Sequence, residues 1–179
     1  MSKLCIIRGW KAVLNVHERL LPVPAESVAP VLDSLGSEND RIWPTGKWPS
    51  MILDRGLEPG SRGGHSRISY RVAEHLPGRR VEFEFEPMPH IGKFAGRHFF
   101  EVLSRDGRAI LRHTIDADID FSSWLYWKIF IERVHDALIE DAFDKAERSA
   151  GVPNPRTSRW SLYVHFLRWL RSRNASRSK

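Results

Sequence analysis

Apolar residues recur along the chain with two periods, near two over most of its first 121 residues and near 3.6 after that. The second pattern is the longer. Over 122–151, Trp127, Ile131, Val134, Leu138, Ala142 and Ala146 fall at steps of three and four, which aligns them on one face of an α-helix. Glu132, Arg133, Asp136 and Glu140 fill the opposite face, Ser122 or Ser123 is a candidate N-cap, Lys145 and Arg148 sit in the last turns and Gly151 is a stop. At 3.6 residues per turn this predicts a helix of about seven turns. A long helix with one apolar stripe needs a broad surface to lie on.

The period-two segments supply that surface. The stretch 13–21 is extended and stops at Pro22 and Pro24. Its phase is open: either Asn15, His17 and Arg19 face inward, or Val16, Glu18 and Leu20 do. Over 25–35 the spacing of Val28, Val31, Leu32 and Leu35 predicts a short helix ending at Gly36, bent or shortened by Pro30. The connection 37–50 carries Trp43-Pro44 and Trp48-Pro49, read as plugs at one end of the core because tryptophan buries so much area. A short strand is expected over 51–57, then regular alternation from His65: Ile68, Tyr70 and Val72; Val81, Phe83 and Phe85 between glutamates; Phe94, Gly96, His98, Phe100 and Val102; and Leu111, His113, Ile115, Ala117, Ile119 and Phe121. Pro77-Gly78 and Asp106-Gly107 mark the turns. One wet and one buried face describe an antiparallel meander with a helix on one side.

Composition narrows the picture. The 179 residues carry a formal charge of +6, but 152–179 holds seven basic residues and no acid, leaving 21 basic against 22 acidic elsewhere. The basic isoelectric point belongs to the tail, so nucleic acid is not the expected partner of the body. The lone Cys5 excludes a disulfide framework and a cysteine-rich zinc site. No apolar run of membrane-spanning length and no leader pattern is visible, so a cytoplasmic protein is expected.

Several stretches resemble a known superfamily. Pro24-Ala25-Glu26-Ser27-Val28 after the first strand, the antiparallel run, and the closing helix are similar to the START-related helix-grip proteins, also called SRPBCC, which include polyketide cyclases and dehydratases and lipid-transfer domains. Asn15-Val16-His17-Glu18-Arg19, the two Trp-Pro pairs, Gly63-Gly64-His65 and the segment His135 to Asp141 resemble a bacterial subgroup of that type. The resemblance covers about residues 13 to 150. It implies an α+β helix-grip fold, a curved antiparallel β-sheet wrapped around a long C-terminal α-helix, with a hydrophobic cavity between the two. The superfamily shares no catalytic motif, so no catalytic residue carries over.

The chemistry rests on histidine. His98 and His113 share strand phases with large apolar residues, His135 lies at the edge of the helix stripe, and His17 joins them if its strand takes the polar-inward phase. His65 falls in the outward phase unless the double glycine makes a bulge. Three readings stay open: core histidines that are simply hydrogen-bonded, polar groups that orient a ligand, or a general acid/base among His98, His113 and His135 with a pKa near 6.5. No compact metal-binding spacing is present, so neither a metal nor another cofactor is expected. Tyr70, Phe83, Phe85, Phe94, Phe100 and Ile131 are the remaining lining candidates. The glycine-rich 60–64 lacks a following GK[ST] and G-x-S-x-G is absent.

In the tail, Trp160, Tyr163, Val164, Leu167 and Leu170 are helically spaced beside Arg159, Arg168 and Arg171. Residues 159–173 either touch a membrane surface peripherally or pack on the body or a partner. The chain thus reads as a domain over 1–151 and a basic tail over 152–179. The function expected is binding of a hydrophobic or amphipathic small molecule, lipid or polyketide-like. A cyclase or dehydratase, and a membrane-surface or docking protein acting through the tail, are the alternatives.

Overall fold

The alternating segments form one antiparallel sheet. In the computed structural model, which describes residues 10–88 and 92–176, the strands are β1 (Trp10–Leu21), β2 (Met51–Leu53), β3 (Arg62–His65), β4 (Ile68–Leu76), β5 (Arg80–Phe85), β6 (Phe94–Arg105) and β7 (Arg108–Asp120). Cys5 lies outside the described residues. The spatial order is β1-β7-β6-β5-β4-β3-β2, a meander from β2 to β7 with β1 added on the β7 edge. Helix α1 (Ala25–Leu32) follows β1. After β7 come α2 (Phe121–Tyr126), a π-helical turn (Trp127–Ile131) and α3 (Glu132–Ser149), continuous in the chain and together the grip helix; α4 (Leu162–Ser176) closes the described chain. The curved sheet and long closing helix are those of the helix-grip fold.

Most strand phases follow the apolar alternation. Val81 and Phe83 of β5, Phe100 and Val102 of β6, and Leu111, Ile115 and Ile119 of β7 are buried on the helix-facing side. Three local features differ from the sequence reading. The strand expected over 51–57 is only three residues long. The run from His65 is broken by a two-residue hairpin, with Ser66 at a φ of 58°, so that His65 pairs with Ile68 across it. Gly64 permits this: at a φ of 155° a Cβ there would stand 1.9 Å from the Ile68 carbonyl oxygen. The grip helix is capped by Asp120, whose carboxylate accepts from Ser123 N, and not by Ser122 or Ser123.

The open phase of β1 resolves polar-inward. Val13 and Leu21 are buried at its ends, Leu14 and Val16 are exposed at 72% and 48%, and Asn15, His17 and Arg19 point at α3. There they meet the carboxylates expected on the solvent side of the helix. Asn15 Nδ2 donates to Asp136 at 3.0 Å, His17 bridges Asp136 and Glu140, and Arg19 reaches Glu140, Asp144 and Glu147. The helix is therefore buried on more than its apolar stripe: Asp141, Asp144 and Glu147 are 2% exposed or less. The segment after α3 covers these acids. Arg156 N donates to Glu147, Ser158 N and Oγ donate to Asp144, and Trp160 Nε1 donates to Asp141, which also receives Trp48 Nε1 and Lys47 Nζ.

Two apolar clusters flank this polar seam. The larger holds α1, Trp43, Trp48, Tyr70, Phe83, Phe100 and Phe143; the smaller holds Val13, Ile115, Ala117, Ile119 and Trp127. Phe85 packs against both.

A buried charge is stable only while paired, because desolvating it costs several kcal/mol. Arg19 is 3% exposed and lies 2.7 Å from Asp144, itself 0% exposed. Arg19→Ala leaves the acids of α3 facing each other, and urea denaturation is expected to show a loss of about 3–5 kcal/mol. A loss within the range of an ordinary surface substitution would contradict this pairing.

Candidate functional site

Four imidazoles run in file between β1, α3, β7 and β6. The register sets His17 directly opposite His113 on neighbouring strands, and His113 opposite Phe100, one side-chain step along β6 from His98. His135 enters from the first turn of α3. Ring centroids lie 6.0 Å apart for His17 and His135, 5.1 Å for His135 and His113, and 5.6 Å for His113 and His98. His113 Nε2 and His98 Nδ1 are 3.4 Å apart. Aromatic rings enclose the inner end: His98 stacks on Phe83 at 4.9 Å and Phe85 at 5.0 Å and meets Tyr70 edge-on at 4.8 Å. Phe100 lies 4.5 Å from His113, and Trp127 lies 5.7 Å from His135.

Of the residues singled out by sequence, His17, His98, His113 and His135 converge as a group, with Tyr70, Phe83 and Phe100 fully buried around them. Phe85 and Phe94 are half-buried and meet edge to face at 4.7 Å, while Ile131 packs on the smaller cluster from the π-helical turn. His65, assigned outward by its phase, faces inward instead. Its ring lies 4.7 Å from Trp43 and its Nδ1 is 3.1 Å from the Tyr70 hydroxyl. The hairpin at Ser66 is the cause, since it separates the phase of His65 from that of β4. Sequence reasoning missed Asn15, Asp136 and Glu140 as a unit with His17. The signal was available as matched spacings, because two strand steps cover about 6.7 Å and four helix steps about 6 Å.

Electrostatics divides the file. Burial alone would lower the His17 pKa, but hydrogen bonds and charge from Asp136 and Glu140 overcome it and raise it from 6.5 to about 9. Burial pushes His98 and His113 well below 6.5, reinforced by the neighbouring imidazoles, and lowers His135 as well. The unperturbed value expected of an acid/base candidate therefore does not hold for any of the three. At neutral pH one imidazolium sits at the outer end of the file and three neutral imidazoles lie behind it. Glu140 is held low chiefly by its bond from His17; burial would raise Asp136, but its interactions with His135, His17 and Asn15 outweigh this and hold it low.

Five buried polar side-chain atoms have no hydrogen-bond partner among the described residues: Asn15 Oδ1, His98 Nε2, His113 Nδ1, Trp127 Nε1 and His135 Nδ1. Three belong to the file, Trp127 touches His135, and Asn15 bonds Asp136 beside His17. On the opposite face of the sheet, Glu82, Glu84, Gly96 and Arg97 line a depression of about 260 Å³. The tail packs back on the body: Val164 is buried, and the Arg168 guanidinium lies over Trp48 at 4.3 Å and Trp160 at 4.2 Å. Phe166 and Trp169 of α4 are about half exposed. Among the described residues no helix is long and apolar enough to cross a membrane.

No family model and no curated protein matches the chain. Solved structures do. Norcoclaurine synthase from Thalictrum flavum is similar with a TM-score of 0.60 at 8% identity, covering 78% of this chain and 94% of that one. CalU16 from Micromonospora echinospora is similar with a TM-score of 0.54 at 10% identity, covering 92% and 94%. A Thermobifida fusca protein solved in solution gives 0.58 at 15% identity, covering 83% and 99%. The chain has the helix-grip fold. At these identities the likeness establishes fold alone.

The pKa shifts predict how stability depends on pH. His17, raised in the fold, contributes fully below about 6.5, and that contribution is lost as pH rises through about 9. His98, His113 and His135, lowered in the fold, contribute above about 6.5, and this is lost as pH falls and the unfolded chain takes up protons the fold refuses. Urea midpoints should therefore peak near neutral pH and fall on both sides. A flat profile from pH 5 to 9 would contradict the assignment.

Proposed function

We propose that the protein binds a small amphipathic molecule between the sheet and the grip helix, with the polar end of the ligand on His98, His113 and Trp127. The observation that carries this is the group of buried, unpartnered polar atoms gathered at one seam. Leaving such an atom unpaired costs about 1–3 kcal/mol each, so a concentration of them at one place favours a molecule that satisfies them.

The tautomers of the histidine pair narrow the ligand class. Both rings are neutral, and one hydrogen is shared between His98 Nδ1 and His113 Nε2. Whichever ring donates it, the two outer nitrogens then present one donor and one acceptor. Trp127 Nε1 adds a donor. A donor on one ring and an acceptor on the other suit a molecule carrying hydroxyl, phenol or enol groups, and the surrounding Phe83, Phe85, Phe94 and Phe100 suit an apolar, ring-containing body. The fold likeness supports the reading at a coarse level: norcoclaurine synthase, 8% identical, is known as a point mutant in complex with a transition-state analogue. Acid–base turnover is less favoured, because burial holds His98 and His113 far below neutral pH, where a base accepts protons poorly.

Native mass spectrometry of the purified protein, followed by a thermal-shift panel of hydroxylated ring compounds and fatty alcohols beside their O-methyl ethers, tests this. The expected result is a retained or stabilising hydroxyl compound whose ether is weaker, and a loss of tenfold or more in affinity in His113→Phe, in line with about 1–3 kcal/mol for a lost buried hydrogen bond. An empty protein that no member of the panel stabilises would overturn the reading.

A further inference from the structure

The outer end of the histidine file has a geometry the ligand reading does not use. We propose that His17, His135 and Asp136 form a binding site for a divalent first-row transition-metal ion, with Zn²⁺ and Fe²⁺ the chemistries that fit. The inference does not depend on the ligand reading: either can fail without the other.

The donor atoms are already gathered. One ligand atom from each of the three residues lies within 4.8 Å of the others. Asp136 Oδ1 is 3.0 Å from His17 Nε2 and 3.8 Å from His135 Nδ1. Ligands bonded to one ion at about 2.0–2.2 Å stand roughly 3 to 3.5 Å apart in octahedral or tetrahedral geometry. The 3.8 Å separation is too long for a hydrogen bond and close to what two ligands of one ion require. His135 Nδ1 is buried, has no hydrogen-bond partner of normal length among the described residues, and meets Asp136 only as a 3.8 Å charge contact.

The groups behind the donors have the arrangement a metal centre needs. A metal-bound imidazole usually donates its other ring N–H to a carboxylate, which fixes tautomer and orientation. His17 Nδ1 is 3.3 Å from Glu140 Oε1, and Nε2 faces the shared centre, where an incoming ion displaces to solvent the proton that Nε2 shares with Asp136 at neutral pH. Asn15 Nδ2 donates to Asp136 at 3.0 Å and orients that carboxylate. Glu140 is in turn held by Arg19. With the His17 proton displaced, charge favours a cation as well: Asp136, Glu140, Asp144 and Glu147 stand against Arg19 and, at the rim, Arg156 Nε at 3.9 Å from Glu147. Two imidazoles with one carboxylate select borderline transition metals over Ca²⁺ or Mg²⁺, which take oxygen ligands. Three protein ligands leave coordination positions open for water or a further donor.

The test uses the full chain, free of any histidine tag and stripped with a chelator. Equilibrium dialysis against Zn²⁺ with elemental analysis should give one ion per chain and a rise in Tm, and His135→Gln and Asp136→Asn should each weaken binding by about tenfold or more. Because a variant can fail to fold, wild-type protein loaded with Co²⁺ provides a second readout: hyperfine-shifted imidazole protons from two histidines, assigned to His17 and His135. Absence of stoichiometric Zn²⁺ with no Tm change, binding unaltered in both folded variants, or Co²⁺ signals from other histidines would each overturn the site. If Zn²⁺ fails while the metal-free protein is stabilised by a hydroxylated ligand, the metal site falls and the ligand reading stands.

Discussion

A charge buried between a strand and a helix has to be paired along the whole length of the contact, and this constraint governs the join of β1 to α3. Asn15, His17 and Arg19 step along the strand in the same direction as Asp136, Glu140, Asp144 and Glu147 step along the helix. Because every second strand residue nearly matches every fourth helix residue in rise, one register satisfies all of them together. Sliding the helix by one turn would leave Arg19 or one of the acids buried without a partner, at a cost of several kcal/mol. The polar seam therefore fixes where the grip helix lies, a task apolar contacts alone perform loosely because they are not directional.

Fixing the helix fixes His135, and through it the histidine file. The carboxylates that hold His17 protonated are half-exposed, whereas the rings behind it are enclosed by Phe83, Phe85, Phe100 and Tyr70, which offer no charge to offset burial. One side-chain type thereby takes two protonation states within a few ångströms. The neutral pair is suited to a hydroxyl-bearing molecule with an apolar body, and the outer end, rich in carboxylate, is suited to a cation. The tail contributes by covering the outer flank of α3, where Ser158 and Trp160 complete the bonding of Asp144 and Asp141.

Much of this was legible in the sequence. The helix-grip architecture and the inward phases of His98 and His113 follow from clean alternation, where each apolar face agrees with its neighbours. The phase of β1 did not follow, because Val16 and Leu20 argue for one face and Val13 and Leu21 for the other, and the deciding partners lie some 120 residues away on the helix. The acids of α3 read as a solvated face for the same reason: Asp141 is buried by Lys47, Trp48 and Trp160, none of which helical periodicity can reveal. His65 was misplaced because a two-residue hairpin at Ser66 has no strong turn signature, its positive φ falling on serine and not glycine.

The central claim is that the seam holds His17 charged while the file behind it stays neutral. Nitrogen-15 NMR of the imidazole rings of the metal-free protein at pH 7.5 measures this directly, since imidazolium and the two neutral tautomers give distinct shifts. The account predicts His17 with both nitrogens protonated, and His98, His113 and His135 each with one. A neutral His17, or a charged ring at His98 or His113, would contradict it.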